Sequence, residues 1–197
     1  FVKRMLGDLG APEVGIDWHG HNDRGLSVAN ALAAAWAGAD RLHATALGVG
    51  ERVGNPPMEQ LLVNVRLLDW ARPDLARLTE YAEFASRMLG APIPPGMPVV
   101  GRDAFRTSTG VHASAIAKAG EKGDEALVDL VYSAVPASWL GRQQEIEVGP
   151  MSGASNATSW LLGHGYPADQ TMVERILAAA KHADCILTDD ELRALVA

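Results

Sequence analysis

The stretch Val14-Gly15-Ile16-Asp17-Trp18-His19-Gly20-His21-Asn22-Asp23 fixes the fold class of this chain. A short apolar run, Val14 to Trp18, ends in a polar cluster, the pattern of a buried strand feeding a loop. Ahead of it, Val2 to Leu9 has the pattern of the end of a helix, closed by Gly10, Ala11 and Pro12. Beyond it, Leu26 to Gly38 is alanine-rich, with Leu26, Ala29, Leu32, Ala33 and Trp36 on one helical face and Gly38 placed to end the helix. Arg41 to Leu47 has the composition of a second strand, and Gly48 to Asn55 is a glycine-rich loop. A further helix runs from about Pro57 to Trp70, started by consecutive prolines. Strand, helix, strand, helix with alanine-rich helices is parallel α/β architecture, in which functional groups sit on loops after the C-terminal ends of strands.

Further along, Pro73 to Leu89 reads as an amphipathic helix. Pro92, Pro94, Pro95 and Pro98 prevent its continuation through Ala91 to Pro98, so a boundary falls there. A mixed region follows, Gly101 to Ala119, then a helical pair around Asp124 to Leu140 and a Gly/Ser-rich turn, Gly149 to Ser155. Three helices are predicted in the tail: Asn156 to His164, Thr171 to His182 and Thr188 to Val196, with Thr188 and Glu191 spaced for a capping box. The expected division is residues 1–72, 73–100 as helix and proline-rich linker, and 101–197 as a mainly helical subdomain. A complete (β/α)8 barrel takes roughly 250 residues, so two strand-helix units make only part of one.

Composition narrows the classes of function. The 197 residues are 48% hydrophobic and 21% charged, the balance of a soluble globular protein without low-complexity segments or internal repeats. A formal charge of −7 and a pI near 5.3, with no basic stripe, argue against nucleic acid as the main partner. Cys185 is the single cysteine, which excludes an intramolecular disulfide and a cysteine-based metal centre. No apolar run reaches the ~18 residues of a membrane span and Phe1 to Gly10 lacks signal-peptide features, so the cytoplasm is the expected compartment, without membrane partners. The start at Phe1 leads to the expectation of further sequence upstream.

His19 and His21 stand at i and i+2 at a strand end, where alternate side chains share a face ~6.5–7 Å apart, so two imidazoles can chelate one ion. Taken alone, the pair reads equally well as two ordinary loop histidines. Asn55 ends the loop after the second strand, and in a parallel barrel that loop adjoins the one bearing His19 and His21. Glu51 and Arg52 are expected to pair with each other or with neighbours. His43 on the second strand is expected to be a packed, hydrogen-bonded histidine; His164 and His182 are expected to be surface or structural, and the tryptophans core.

The stretch from His19 to Asp23 with Gly25, Asn30 and Gly38, followed by Gly48-Val-Gly-Glu-Arg-Val-Gly-Asn55, resembles the 2-isopropylmalate, homocitrate and citramalate synthases. Gly101-Arg-Asp-Ala-Phe-Arg-Thr-Ser-Thr-Gly-Val-His112 is similar to the segment after the barrel in that family, and Val131-Tyr132 through Gly141-Arg142 to Ser152-Gly153 to the following subdomain. The resemblance covers nearly the whole chain and rests on three motifs in family order. It implies the last two strand-helix units of a TIM barrel followed by a mainly helical subdomain. It also implies that His19 and His21 bind a divalent metal, with Asn55 at or near its shell. The metal would be zinc or manganese before magnesium or cobalt. By the same resemblance His112 is an acid/base residue offered to a neighbouring subunit, and Tyr132 a second residue near that site. Ser114 stands two residues beyond His112, where the family usually has an acid. The first-strand Arg-Asp-Gly motif that supplies a further metal ligand in the family does not occur in this sequence.

The implied activity is condensation of acetyl-CoA with a 2-oxo acid, 3-methyl-2-oxobutanoate to 2-isopropylmalate for leucine synthesis being the first choice, in a homodimer. This chain by itself would be inactive, and no regulatory domain for feedback inhibition is expected. The alternatives are a homocitrate or citramalate synthase, a metal-dependent acyl-CoA lyase of the same superfamily, and a non-catalytic fragment acting only in assembly. A metal-dependent amidohydrolase, with His-x-His after the first barrel strand, would need more chain than follows His21.

Overall fold

The apolar runs at Val14 to Trp18 and Arg41 to Leu47 each contribute only two residues to a sheet. The computed structural model describes all residues, Phe1 to Ala197, in two units, Phe1–Gly101 and Arg102–Ala197.

The first unit contains α1 (Val2–Asp8), β1 (Asp17–Trp18), α2 (Ser27–Trp36), β2 (Arg41–Leu42), a 3-10 turn at Ala46–Gly48, α3 (Met58–Leu67) and α4 (Leu78–Leu89). β1 and β2 pair in parallel, Asp17 opposite Arg41 and Trp18 opposite Leu42, and an isolated parallel bridge joins Thr45 to Pro57. β2 is shorter than its composition suggests: beyond Leu42 only Thr45 is bridged, and the chain then turns at Leu47, whose φ of 55° lies in the left-handed region. Gly38, at φ 98°, follows α2 where a helix stop was expected.

The face of α2 that packs is not the one its larger apolar residues mark. Its buried residues are Ser27 and Ala31, while Leu26 is 47% and Trp36 81% exposed. Small side chains let α2 approach α3 and β2 closely, which leaves the bulkier face outward. Trp36 lies 6.2 Å from Trp70, itself 40% exposed, so neither tryptophan is core. Residues 73–100 lie within this unit: Leu75, Leu78, Ala82 and Ala85 are buried, and α4 ends at Gly90 with φ 63°. α4 begins later than its amphipathic pattern suggests, because Pro73 and an Asp74 turn accepting from the Ala76 N–H occupy the approach.

The second unit contains a 3-10 turn at Arg102–Phe105, β3 (Arg106–Thr107), α5 (Gly110–Glu121), α6 (Glu125–Leu130), a 3-10 turn at Ala137–Leu140, β4 (Glu145–Ile146), α7 (Ala154–Gly163), α8 (Gln170–His182) and α9 (Asp189–Val196). β3 and β4 are parallel. Val148, Ala157, Trp160, Leu161, Val173, Ile176, Ala180 and Leu192 form the core under the last three helices. Asp169 caps α8 by accepting the Met172 N–H at 2.9 Å. The Thr188–Glu191 capping box of α9 is present, with the Thr188 N–H donating to Glu191 Oε2 at 2.7 Å. No helix is long and apolar enough to cross a membrane.

Candidate functional site

β1 ends at Trp18, and the chain then presents His19, Gly20 and His21 beside the segment that follows β2. The His19 ring meets that of His21 edge-on, centroids 5.1 Å apart, and that of His43 at 5.5 Å. Nδ1 of His19 and Nδ1 of His43 are 3.4 Å apart. Asp17 Oδ2 lies 3.5 Å from His43 Nε2 and accepts from Arg41 Nη1 at 2.9 Å. His43 is thus half-exposed beside His19 rather than packed into a core.

Two hydrogen bonds tie the loop after β1 to the loop after β2. The Asn22 N–H donates to Gly54 O at 2.9 Å, and Asn55 Nδ2 donates to Gly20 O at 3.0 Å. Asn55 is 6% exposed, and the loop folds so closely around it that a Cβ on Gly50 would stand 2.0 Å from its Oδ1. Across the same loops Arg52 pairs with Asp23 at 3.2 Å and Glu51 at 3.4 Å, as ion-pairing neighbours. The hydrogen bond from Arg52 holds the Asp23 carboxyl below its ordinary range.

Glu59 was not singled out by sequence. In the first turn of α3 a carboxylate reads as an ordinary helix-dipole residue, yet Glu59 is fully buried, with Oε2 accepting the Leu47 N–H at 3.2 Å. Its Oε1 has no partner, nor has the buried Thr45 Oγ1. Burial pushes the Glu59 carboxyl above its ordinary range. A hollow of about 480 Å³ beside it is lined by Asn22, Leu47, Val49 and the proline-rich segment Ala91 to Pro98.

The donors of this region fit a borderline divalent ion better than a hard one. His21 Nδ1 is buried without a partner, and imidazoles suit zinc-like ions. No three or more His, Cys, Asp or Glu side chains are arranged to hold an ion together, so an ion bound here takes other ligands as well.

In the second unit His112 sits in the first turn of α5 and stacks on Tyr132, centroids 4.0 Å apart at 29°. Gly110, Val111, Ser114, Ala115, Lys118 and Tyr132 line a hollow of about 440 Å³. The start of α5 is pinned by a buried polar network. Ser152 Oγ donates to Ser108 O at 2.8 Å and accepts the Gly149 N–H at 2.8 Å, while Asn156 Nδ2 donates to Ser108 O at 3.1 Å and Glu147 O at 2.8 Å. Buried Asp129 accepts the Ala137 and Ser138 N–H groups at 2.7 and 3.1 Å, fixing the turn after Tyr132. His164 is structural: it stacks on Trp160 and lies 3.6 Å from Asp189, which also accepts the Trp160 indole N–H at 2.9 Å. His182 is exposed.

Residues 1–84 match the HMGL-like family. The chain is 32% identical over 183 residues to a probable 2-isopropylmalate synthase of Ignicoccus hospitalis, covering 90% of this chain and 44% of that protein. It is 36% identical over 172 residues to the (R)-citramalate synthase of Aquifex aeolicus, covering 85% of this chain and 30% of that protein. A probable 2-isopropylmalate synthase of Methanopyrus kandleri is 30% identical over 173 residues, 87% of this chain and 33% of that protein. The chain therefore spans less than half the length of these relatives.

Proposed function

We propose, from the match of residues 1–84 to the HMGL-like family and the similarity of most of the chain to 2-isopropylmalate and (R)-citramalate synthases, that this chain is part of an acyltransferase condensing acetyl-CoA with a 2-oxo acid. Residues 1–72 would be the C-terminal part of a (β/α)8 barrel, supported by the parallel pair β1/β2 and its helices, and the second unit the subdomain that follows. The observation that carries the proposal is the tying of two adjacent strand-end loops, one bearing His19 and His21 and the other ending in buried Asn55.

In this reading His19, His21 and Asn55 contribute to a divalent metal site, zinc or manganese before magnesium or cobalt. A bound ion supplies Lewis acidity toward the keto carbonyl of the 2-oxo acid. His112, offered to the site of a neighbouring subunit, would act there as the acid/base group, with Tyr132, on which it stacks, as a second residue near that site. In overall balance the acetyl methyl group gives a proton to a base, its carbon bonds to the keto carbon, and the keto oxygen gains a proton. Water then cleaves the thioester to release CoA and a 2-alkylmalate. Val111, Leu130 and Tyr132, each at least half exposed, support a homodimer that covers them.

3-Methyl-2-oxobutanoate, giving 2-isopropylmalate, is the first reading of the substrate. Pyruvate, giving citramalate, is the second, favoured by the 36% identity to the Aquifex enzyme. The test is CoA release from acetyl-CoA by the chain in its full gene context, with each 2-oxo acid in turn and 3-hydroxy-3-methylglutaryl-CoA cleavage as comparison. Release that depends on a 2-oxo acid is expected. Cleavage without condensation would overturn the synthase reading in favour of a lyase.

A further inference from the structure

His43 is the one imidazole of the first unit to which neither the motifs nor the relatives' names give a task, and its geometry is that of a ligand. With nitrogen–metal bonds of ~2.0–2.1 Å and a tetrahedral angle, two imidazole nitrogens on one zinc ion stand ~3.3–3.4 Å apart. Nδ1 of His19 and Nδ1 of His43 are separated by 3.4 Å. On the opposite side of the His43 ring, Nε2 faces Asp17 Oδ2 at 3.5 Å, a charge contact rather than a hydrogen bond, and a carboxylate on that side favours the proton on the outer nitrogen and the lone pair on the inner one. Arg41, 2.9 Å from the same Asp17 oxygen, keeps that carboxylate in place. Both rings are exposed, so an ion has a path to the pair.

We propose that His43 is a metal donor paired with His19 through their Nδ1 atoms and oriented by Asp17, in a site for a zinc-like divalent ion. This rests on the metal-dependent reading above and adds a ligand to it. The pair makes His19 the donor common to the site, with His21 beside it and its buried Nδ1 still without a partner. The His19–His43 pair by itself fills two positions on the ion and leaves the others to His21, to oxygen donors and to water.

Without an ion the same contact would be an N–H···N hydrogen bond in which one ring donates. The two states differ in what they bind, so metal titration separates them. Cobalt(II) added to the whole chain should give one equivalent of a ligand-field absorption band, and zinc should displace it with a matching calorimetric isotherm. His19→Ala and His43→Gln should both abolish the stoichiometric site, with the far-ultraviolet circular dichroism unchanged. Asp17→Asn should weaken it ~10–100-fold, the range for loss of a carboxylate behind a ligating histidine, while Arg41→Gln should weaken it less. A site lost in His19→Ala and His21→Ala yet intact in His43→Gln would overturn the role of His43 and leave the metal-dependent synthase reading standing. Absence of any stoichiometric site in the wild-type chain would overturn the inference as well, and CoA release in the full gene context would then decide the synthase reading separately.

Discussion

At the scale of single residues, the informative positions are buried polar ones. Asn55 donates to Gly20 O from a 6% exposed position, so Asn55→Ala leaves that carbonyl without its donor and lets the two loops part. The expected cost is roughly 1–3 kcal/mol, read as a lower denaturant midpoint. Glu59 sets a pH dependence. Its carboxyl titrates above its ordinary range in the folded chain, so the folded state binds the proton more tightly than the unfolded one. The contribution is therefore full below the unfolded value and lost as pH rises through the folded one. Glu59→Gln removes that slope: its stability relative to wild type should rise from pH 4 to pH 7, and a flat difference across equilibrium unfolding curves would contradict the assignment. His19, His21 and Asn55 were visible as a pattern because they lie on neighbouring strand-end loops. Glu59 and His43 were not, since one looks like a helix-dipole carboxylate and the other like a strand histidine, and only the fold shows what surrounds them.

At the scale of elements, a short buried network decides where α5, and with it His112, begins. Asn156→Ala removes both donor bonds to Ser108 O and Glu147 O, besides the acceptor of the Gly153 N–H at 3.0 Å. A loss of about 2 kcal/mol or more is expected, since several buried partners go unpaired, together with faster amide exchange over the first turn of α5. Element type followed from periodicity and caps: Gly38 after α2, Pro57 before α3, and Thr188 with Glu191 at α9. Orientation and extent did not. α2 turns its small residues inward because close approach to α3 and β2 outweighs the larger apolar area of Leu26 and Trp36, a tertiary choice that helical spacing cannot encode. Likewise, the strand expected over Arg41 to Leu47 pairs only at Arg41 and Leu42, and its last residue goes instead into the turn where the Leu47 N–H donates to Glu59.

At the scale of the whole chain, exposed apolar area is the dominant unanswered feature of the surface. In the first unit Trp36, Trp70, Phe84 and Met88 are 81%, 40%, 55% and 69% exposed. Patches of this kind are covered by association, so the chain is expected to self-associate at micromolar concentration. Light scattering should report a mass above that of one 20.9 kDa chain. Trp36→Gln with Trp70→Gln should lower that mass, and a monodisperse monomer in the wild type would contradict it. The formal net charge of −7 opposes collapse of such assemblies into larger aggregates. Leu47 has a wider meaning for how this molecule can change. Its left-handed backbone opposes a side chain by ~1–2 kcal/mol, whereas its side chain lines the 480 Å³ hollow under the proline-rich segment. Asparagine there would relax the backbone and wet the hollow; leucine keeps it greasy at the cost of a taut turn. One codon therefore trades the stiffness of the loop that presents Asn55 against the kind of molecule the neighbouring hollow will admit.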